Sequence, residues 1–147
     1  MAGTNRIAVG GRSWALILLV VVAGCDSSLT GPSSTPPFSQ TDLRAGSGAE
    51  AASGNVLTVE YTGWLYDTSQ TDSKGLQFDS STGRGPFVFT LGAGQVIAGW
   101  DQGLVGLTVG GLRRLVIPPS FAYGGSRSGP IPPNATLVFE IELTTVQ

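Results

Sequence analysis

Leu137-Val-Phe-Glu-Ile-Glu-Leu-Thr144 is the stretch of sequence that decides the fold. Leu137, Phe139, Ile141 and Leu143 alternate with a second set that is mostly polar. This period of two is that of a β-strand with one face in a core and the other in water. Strands with one wet face are typical of antiparallel sheets, because the strands of a parallel sheet are covered on both faces. The stretch therefore predicts an antiparallel sheet with one buried face.

Three other runs toward the N-terminus support this prediction. Residues Val56–Thr62 alternate and stop at Gly63, and Phe87–Leu91 repeats the pattern. The run Arg113–Ile117 ends at two prolines, which cannot donate a hydrogen bond to a neighbouring strand. These runs and the last one predict at least four short strands.

Helical spacing occurs in one segment, Val96–Val105, where Ile97, Trp100 and Leu104 fall on one side. Gly99 and Gly103 each cost about 1 kcal/mol relative to alanine inside a helix, so packing on the sheet has to stabilise it. The predicted fold class is therefore α+β, with a bent antiparallel β-sheet wrapped around one short α-helix. The pattern of short strands separated by glycine and proline begins near Phe38, so the predicted domain covers residues 38–147.

The N-terminal part of the chain has a different composition. Arg6 and Arg12 precede an apolar run that ends at Val22-Ala-Gly-Cys25, which predicts a signal peptide over residues 1–24. The last four residues resemble a bacterial lipobox, in which Cys25 is lipidated; the alternative is an ordinary cleavage site before a cysteine. Residues 25–37 are rich in Ser, Thr and Pro and predict a flexible, lipidated tether. We therefore expect export and a lipid anchor to a membrane of the cell envelope, on its periplasmic or outer face.

Composition excludes several classes of chemistry. The 147 residues contain no histidine and one cysteine, so metal centres and nucleophilic sites built on imidazole are excluded. The net charge is -2 and Lys74 is the only lysine, so nucleic acid is not an expected partner. No metal or organic cofactor is expected.

Three local patterns have simpler explanations than catalysis. Gly92-Ala-Gly-Gln-Val-Ile-Ala-Gly99 has its third glycine misplaced for a dinucleotide loop. Glu140 and Glu142 lie on the polar strand face, where a solvated surface explains them better than glycoside hydrolysis. Asp67 and Asp72 lie in the polar stretch Tyr66–Gly75, where turn formation explains them without calcium.

Aromatic residues are concentrated in the predicted domain. The sheet and helix would bring together seven of them: Tyr61, Phe78, Phe87, Phe89, Trp100, Tyr123 and Phe139. Spacing alone favours an ordinary aromatic core, since such residues bury large areas.

Six motifs in order change this interpretation. They are Val59-Glu-Tyr-Thr-Gly-Trp-Leu65, Gln77-Phe-Asp-Ser-Ser81, Gly85-Pro-Phe-Val-Phe89, Gln95-Val-Ile-Ala-Gly-Trp100, Ala122-Tyr-Gly124 and Ile131-Pro-Pro-Asn-Ala-Thr-Leu-Val-Phe-Glu-Ile-Glu-Leu143. Together they resemble the successive signatures of FKBP-type peptidyl-prolyl cis–trans isomerases in their bacterial lipoprotein form, over residues 38–147. The resemblance implies an isomerase that assists the folding of exported proteins by twisting X–Pro bonds without a covalent intermediate.

The resemblance also implies a role for each matching residue. Asp79, Tyr61 and Tyr123 would be catalytic: Asp79 would touch the imide or orient Tyr61, held by Arg84, and Tyr123 would bind the client backbone. Trp100 would form the floor of the pocket, and the backbone N–H of Ile97 would bind a client carbonyl. The remaining substrate-binding residues would be Phe78, Phe87, Val96, Ile131 and Phe139.

The implied partners are Pro-containing polypeptide clients, and macrolide immunosuppressants would enter the same pocket. A monomer is expected. Two functions remain open on the sequence: an active isomerase, and a weakly catalytic module that only binds proline-containing segments.

The loop Gly124–Ile131 departs from the family pattern, and Arg127 and Pro130 match no functional position. The Tyr66–Gln77 stretch is longer than in minimal members of the family.

Overall fold

A computed structural model describes residues 35–147, which form a single antiparallel sheet and one short α-helix. The strands are β1 (Ser39–Arg44), β2 (Val56–Tyr66), β3 (Lys74–Ser80), β4 (Phe87–Thr90), β5 (Leu112–Ile117) and β6 (Leu137–Val146). Helix α1 spans Ala98–Gly103. The strand order is β1-β5-β6-β2-β3, and β4 also pairs with β2. The predicted fold class is confirmed, while the predicted signal peptide, Cys25 and most of the tether lie outside the described residues.

Strand β2 changes its partner at Tyr61. One edge of β2 pairs with β6 along most of its length. The other edge pairs with β4 over Val56–Val59 and with β3 from Thr62 onward. At the break, the backbone N–H of Tyr61 donates to the hydroxyl of Ser81 at 2.9 Å, and its carbonyl accepts from the Ser81 N–H at 2.9 Å. Through these two hydrogen bonds, the buried Ser81 satisfies the backbone of Tyr61 at the point where the neighbouring strand changes.

The two helix glycines allow α1 to pack closely on β5. A Cβ atom on Gly99 would lie 2.5 Å from Cγ2 of Ile117, and one on Gly103 would lie 2.7 Å from Cδ2 of Leu115. Both distances are too short for carbon atoms in contact, so the backbone of α1 occupies the space that side chains would fill. The helix is shorter than the predicted Val96–Val105, because the extended backbone of Ile97 (φ −60°, ψ 150°) precedes its first turn.

Arg113 is a buried cation that sequence reasoning assigned only to a strand. It shares a strand face with Leu115 and Ile117, and it is 5% exposed. Its Nη1 donates to the carbonyls of Gly103 and Val105 at 2.8 and 2.9 Å, at the C-terminal end of α1. A cation there satisfies carbonyls that the helix leaves unpaired.

The second contact of Arg113 is with β1. Its Nε and Nη2 donate to the two carboxylate oxygens of Asp42 at 2.5 and 3.1 Å. Arg113 therefore ties the edge strand β1 to the helix through the sheet.

The alternation of β6 is confirmed for its core face, where Leu137, Phe139, Ile141 and Leu143 are buried. The expectation for the opposite face is wrong at Val138, which is also fully buried. Val138 is the cross-strand neighbour of Trp64 and Val116, so these three apolar residues lie side by side on the outer face of the sheet.

The outer face is also less hydrated at Glu140 than expected. Its carboxylate contacts Lys74 Nζ at 2.6 Å and Arg114 Nη2 at 2.8 Å. Burial alone would raise the pKa of Glu140, but hydrogen bonds from Lys74 and Arg114 outweigh it and lower the pKa.

Ion pairs with Glu140 and Arg114 also hold the Tyr66–Gln77 stretch against the outer face of the sheet. Asp67 and Asp72 lie in turns before β3, as predicted, and β3 begins at Lys74, whose Nζ is 4.7 Å from the centre of the Trp64 ring. Asp72 contacts Arg114 at 3.2 Å, so the tip of the β2–β3 hairpin lies against the outer face of the sheet.

Candidate active site

A cavity of about 420 Å³ lies beside α1, among residues of the sheet and two loops. All ten pocket residues predicted from the sequence line it: Tyr61, Phe78, Asp79, Phe87, Val96, Ile97, Trp100, Tyr123, Ile131 and Phe139. Four lining residues were not predicted: Gln95, Ser128, Gly129 and Pro130. Most of the lining is apolar, which suits a compact nonpolar group.

Trp100 is the most central aromatic residue of this cavity. It is 5% exposed, and the rings of Tyr61 and Phe139 meet it edge to face, each with its centroid 5.2 Å away. Phe87 and Phe89 pack on it at 6.1 and 5.6 Å. Helix α1 presents Trp100 at its first turn, where the close packing of Gly99 fixes its depth. The ring is thereby held in one orientation by four neighbours.

The main polar group of the cavity wall is the pair formed by Tyr61 and Asp79. The Tyr61 hydroxyl donates to Oδ2 of Asp79 at 2.6 Å. Burial, followed by the hydrogen bond to Asp79 and its negative charge, raises the pKa of Tyr61 to about 12. The phenol therefore stays protonated, and it remains a hydrogen-bond donor, throughout the neutral pH range.

Asp79 is held through its other oxygen. Oδ1 accepts the backbone N–H of Ser80 at 2.9 Å and also binds the guanidinium of Arg84. Arg84 Nε in turn donates to the Ser80 carbonyl at 2.9 Å. The predicted contact between Arg84 and Asp79 is present, and it neutralises the carboxylate beside an apolar cavity.

Several hydrogen-bond donors at the cavity, among them the buried indole Nε1–H of Trp100, have no acceptor among residues 35–147. The backbone N–H of Ile97 donates to none of them, because Ile97 precedes the first turn of α1. The hydroxyl of Tyr123 likewise has no partner in this part of the chain, and the residue is 39% exposed. The N–H of Ile97 and the hydroxyl of Tyr123 are therefore hydrogen-bond donors without an acceptor in the described residues.

The loop before the helix is held by side-chain hydrogen bonds. Asp101 accepts the N–H groups of Gly92 and Gly94 at 2.8 and 3.1 Å, and Gln95 accepts the N–H of Thr90 at 2.8 Å. Gly92 and Gly94 have positive φ, which favours glycine at both positions. Gln95, Val96 and Ile97 are thereby fixed along the cavity before the helix begins.

We call residues 124–131 the rim loop. Ser128 and Ile131 exchange two backbone hydrogen bonds of 3.0 and 2.9 Å, which close a tight turn around Gly129-Pro130. Ile131 is buried, whereas Gly129 and Pro130 are exposed at the cavity edge. The turn is therefore an ordered part of the cavity mouth.

The described part of the chain contains no group of His, Cys, Asp and Glu side chains that could hold a metal ion. Within residues 35–147, no helix is long and apolar enough to cross a membrane.

The fold and the cavity define a class of small domain in which a bent antiparallel sheet and a short helix hold an aromatic pocket. The family model of the FKBP-type peptidyl-prolyl cis-trans isomerases matches residues 48–144. The chain belongs to the FKBP-type peptidyl-prolyl cis–trans isomerase family, and its activity class is the isomerisation of peptide bonds that precede proline.

Relatives from a fungus and a bacterium agree with this assignment. FK506-binding protein 1 of Aspergillus oryzae is 45% identical over 108 residues, which are 71% of this chain and 93% of that protein. The FK506-binding protein of Neisseria meningitidis serogroup B is 50% identical over 107 residues, 71% of this chain and 92% of that protein.

Two solved structures share the fold. The crystal structure of AtFKBP13 matches with a TM-score of 0.66 and 35% identity, covering 77% of this chain and 96% of that one. The structure of FkpA from Escherichia coli matches with a TM-score of 0.65 and 39% identity, covering 75% of this chain and 48% of that one.

Proposed function

We propose that this protein accelerates X–Pro isomerisation by enclosing the proline ring in the cavity over Trp100, without a covalent intermediate. The observation that carries the proposal is the combination of an aromatic cavity with free hydrogen-bond donors on Ile97 and Tyr123. The ring would enter between Tyr61 and Phe139, and the donors would hold the flanking backbone. Rotation about a peptide bond has a barrier of roughly 18–20 kcal/mol, which comes from loss of resonance.

An apolar cavity can lower this barrier. The planar amide has a more polar carbonyl than the twisted one, so removing water penalises the ground state more than the transition state. A reduction of about 5.5 kcal/mol raises a rate by roughly four orders of magnitude. Asp79 would touch the twisting imide or orient Tyr61, and its pairing with Arg84 keeps the carboxylate in place.

The test of this proposal is the cis-to-trans relaxation of a short X–Pro peptide. We expect acceleration by the purified protein, and its loss in a folded Tyr123→Phe, Asp79→Leu double variant. Circular dichroism and the unfolding midpoint check the fold of the variant. If the wild-type protein binds the peptide but leaves its relaxation at the background rate, the protein is a proline-segment-binding module and the catalytic proposal is wrong.

We further propose that residues 1–24 direct export and that Cys25 carries a lipid, so that residues 25–37 tether the domain to a cell-envelope membrane. The support is the sequence Val22-Ala-Gly-Cys25 after an apolar run, followed by a segment rich in Ser, Thr and Pro. Exported proteins with X–Pro bonds would then be the clients.

In a bacterium that processes lipoproteins, the intact mass of the protein should show a lipid on Cys25, and Cys25→Ser should abolish this modification. Recovery of an unlipidated mature chain from the wild type would favour an ordinary cleavage site.

Macrolide binding is proposed for the same cavity. Both relatives are named FK506-binding proteins, and the lining of this cavity is mainly apolar. FK506 should therefore compete with the X–Pro peptide, and unchanged relaxation rates at saturating macrolide would contradict this proposal.

A further inference from the structure

The rim loop carries a cation that lacks an acidic partner. Residues 35–147 contain six Lys and Arg side chains, and five form salt bridges with carboxylates: Arg44, Lys74, Arg84, Arg113 and Arg114. Arg127, the sixth, forms none within this part of the chain. The one hydrogen bond of its guanidinium is a long 3.4 Å contact from Nε to the carbonyl of Gly129.

Arg127 lies close to the substrate cavity. It immediately precedes Ser128 in the chain, and both Ser128 and Gly129 line the cavity. The contact with the Gly129 carbonyl shows that the guanidinium folds over the rim loop rather than away from it. The two hydrogen bonds between Ser128 and Ile131 fix the backbone of the rim loop next to Arg127, so the exposed Arg127 side chain starts from a fixed point beside the mouth.

Other charge at the cavity is compensated. Asp79 is the only carboxylate among the lining residues, and Arg84 pairs with it. A client peptide bound through its proline would therefore meet an apolar cavity and one uncompensated positive charge at the edge. An extended peptide advances about 3.3 Å per residue, so side chains within two residues of the proline lie within about 7 Å of it along the chain.

We propose that Arg127 is a specificity-determining residue that selects clients with an acidic side chain within two residues of the proline. The inference rests on the proposed function, because it requires the proline to occupy the cavity over Trp100. A solvent-exposed ion pair of this kind corresponds to a preference of about two- to fivefold in kcat/KM. The preference decreases at high salt, since exposed charges are screened over roughly 3 Å at 1 M ionic strength.

The experiment uses a set of X–Pro peptides, each with a single Glu at one of the four positions within two residues of the proline. Each Glu peptide is compared with a peptide that has Gln at the same position. The full chain should give a Glu-to-Gln ratio of about two to five in kcat/KM for at least one position. Arg127→Gln should bring that ratio close to one, and Arg127→Lys should retain a value above one. Arg127→Glu should instead favour a matched Lys peptide.

Arg44→Gln is the matched control, since it changes the net charge equally but removes a cation that pairs with Glu142 on β6. It should leave the Glu-to-Gln ratio at the wild-type value. Equal acceleration of Glu and Gln peptides at all positions overturns the inference while the proposed isomerase stands. A ratio that survives Arg127→Gln also overturns it. Absence of acceleration with every peptide overturns both.

Discussion

The hydroxyl of Tyr61 and the carboxylate of Asp79 are joined by a 2.6 Å hydrogen bond at the wall of the cavity. The two residues come from β2 and β3, adjacent strands joined by the hairpin whose tip packs on the outer face. Ser81 fixes the backbone of Tyr61, and Arg84 fixes the carboxylate of Asp79. The pair is thus held from both sides, and its alignment depends on where β2 changes partners.

The first prediction concerns the ionisation of Tyr61. Its folded-state pKa of about 12 lies above the ordinary value of 10.0, because the neutral phenol is favoured by burial and by Asp79. Stability from this interaction is fully present below about pH 10 and is lost as the pH rises toward about 12. A phenolate absorbance titration of the native protein should therefore contain one tyrosine that ionises near pH 12, and Tyr61→Phe should remove it.

Asp79→Asn provides a second check on the same titration. The substitution removes the carboxylate charge but leaves the burial of the phenol, so the pKa of Tyr61 should fall only part of the way to its ordinary value. An unchanged titration would show that Asp79 does not govern the phenol.

The second prediction concerns activity. Asp79→Asn should lower kcat/KM for an X–Pro peptide by about ten- to a hundredfold, as expected for loss of a hydrogen bond to a charged group. Asp67→Asn is the matched control, because Asp67 is a carboxylate in the hairpin turn that binds Ser69 and does not line the cavity. Equal activities for the two variants would contradict a role for Asp79 in the reaction.

The third prediction sets helix propensity against packing. Gly99→Ala would gain about 1 kcal/mol if propensity alone mattered. The new Cβ, however, would lie 2.5 Å from Cγ2 of Ile117, and overpacking of this kind costs about 1–3 kcal/mol. We expect a net loss of stability in urea unfolding, with lower isomerase activity because α1 carries Trp100.

Gln102→Ala is the control for this prediction, since Gln102 is exposed on the same helix and its replacement should be neutral or slightly stabilising. A Gly99→Ala variant more stable than the wild type would mean that the helix can move away from β5 at little cost.

The sequence predicted the elements that have a regular buried face. The alternation of β6 and the apolar spacing around Trp100 correctly indicated a sheet against a helix. Strand β1 escaped notice because all six of its residues are exposed, so no apolar period exists to detect. Strand β3 likewise has no buried residue, and only the Gln77–Ser81 motif marked its location.

The cavity was predicted mainly through the family resemblance, since spacing alone could not distinguish an aromatic pocket from an aromatic core. Gln95, Ser128, Gly129 and Pro130 were missed, because all four lie in loops, where residues carry no periodic signal. Arg113 did leave a signal: it is two residues from Leu115 and therefore shares the core face of β5. A charged residue at that position indicates a buried partner, which proves to be Asp42 together with the end of α1.

The last prediction concerns the pH dependence of this ion pair. The pKa of Asp42 is lowered, mainly by its hydrogen bond from Arg113. Burial acts in the opposite direction and raises this pKa, while the positive charge of Arg113 lowers it further. A carboxyl group with a lowered folded-state pKa stabilises the protein above its unfolded pKa of about 3.9, and this contribution is lost as the pH falls through the folded value. The Asp42 side chain is 52% exposed, so solvent screening limits the contribution to about 1 kcal/mol or less.

Asp42→Asn should accordingly lower the free energy of unfolding at neutral pH, and the difference from wild type should shrink as the pH falls below about 4. Urea unfolding across this range measures the effect. In an Arg113→Met background the partner is absent, so Asp42→Asn should have little effect at any pH. A difference that persists unchanged into strong acid, or that survives removal of Arg113, would show that Asp42 stabilises β1 through something other than this ion pair.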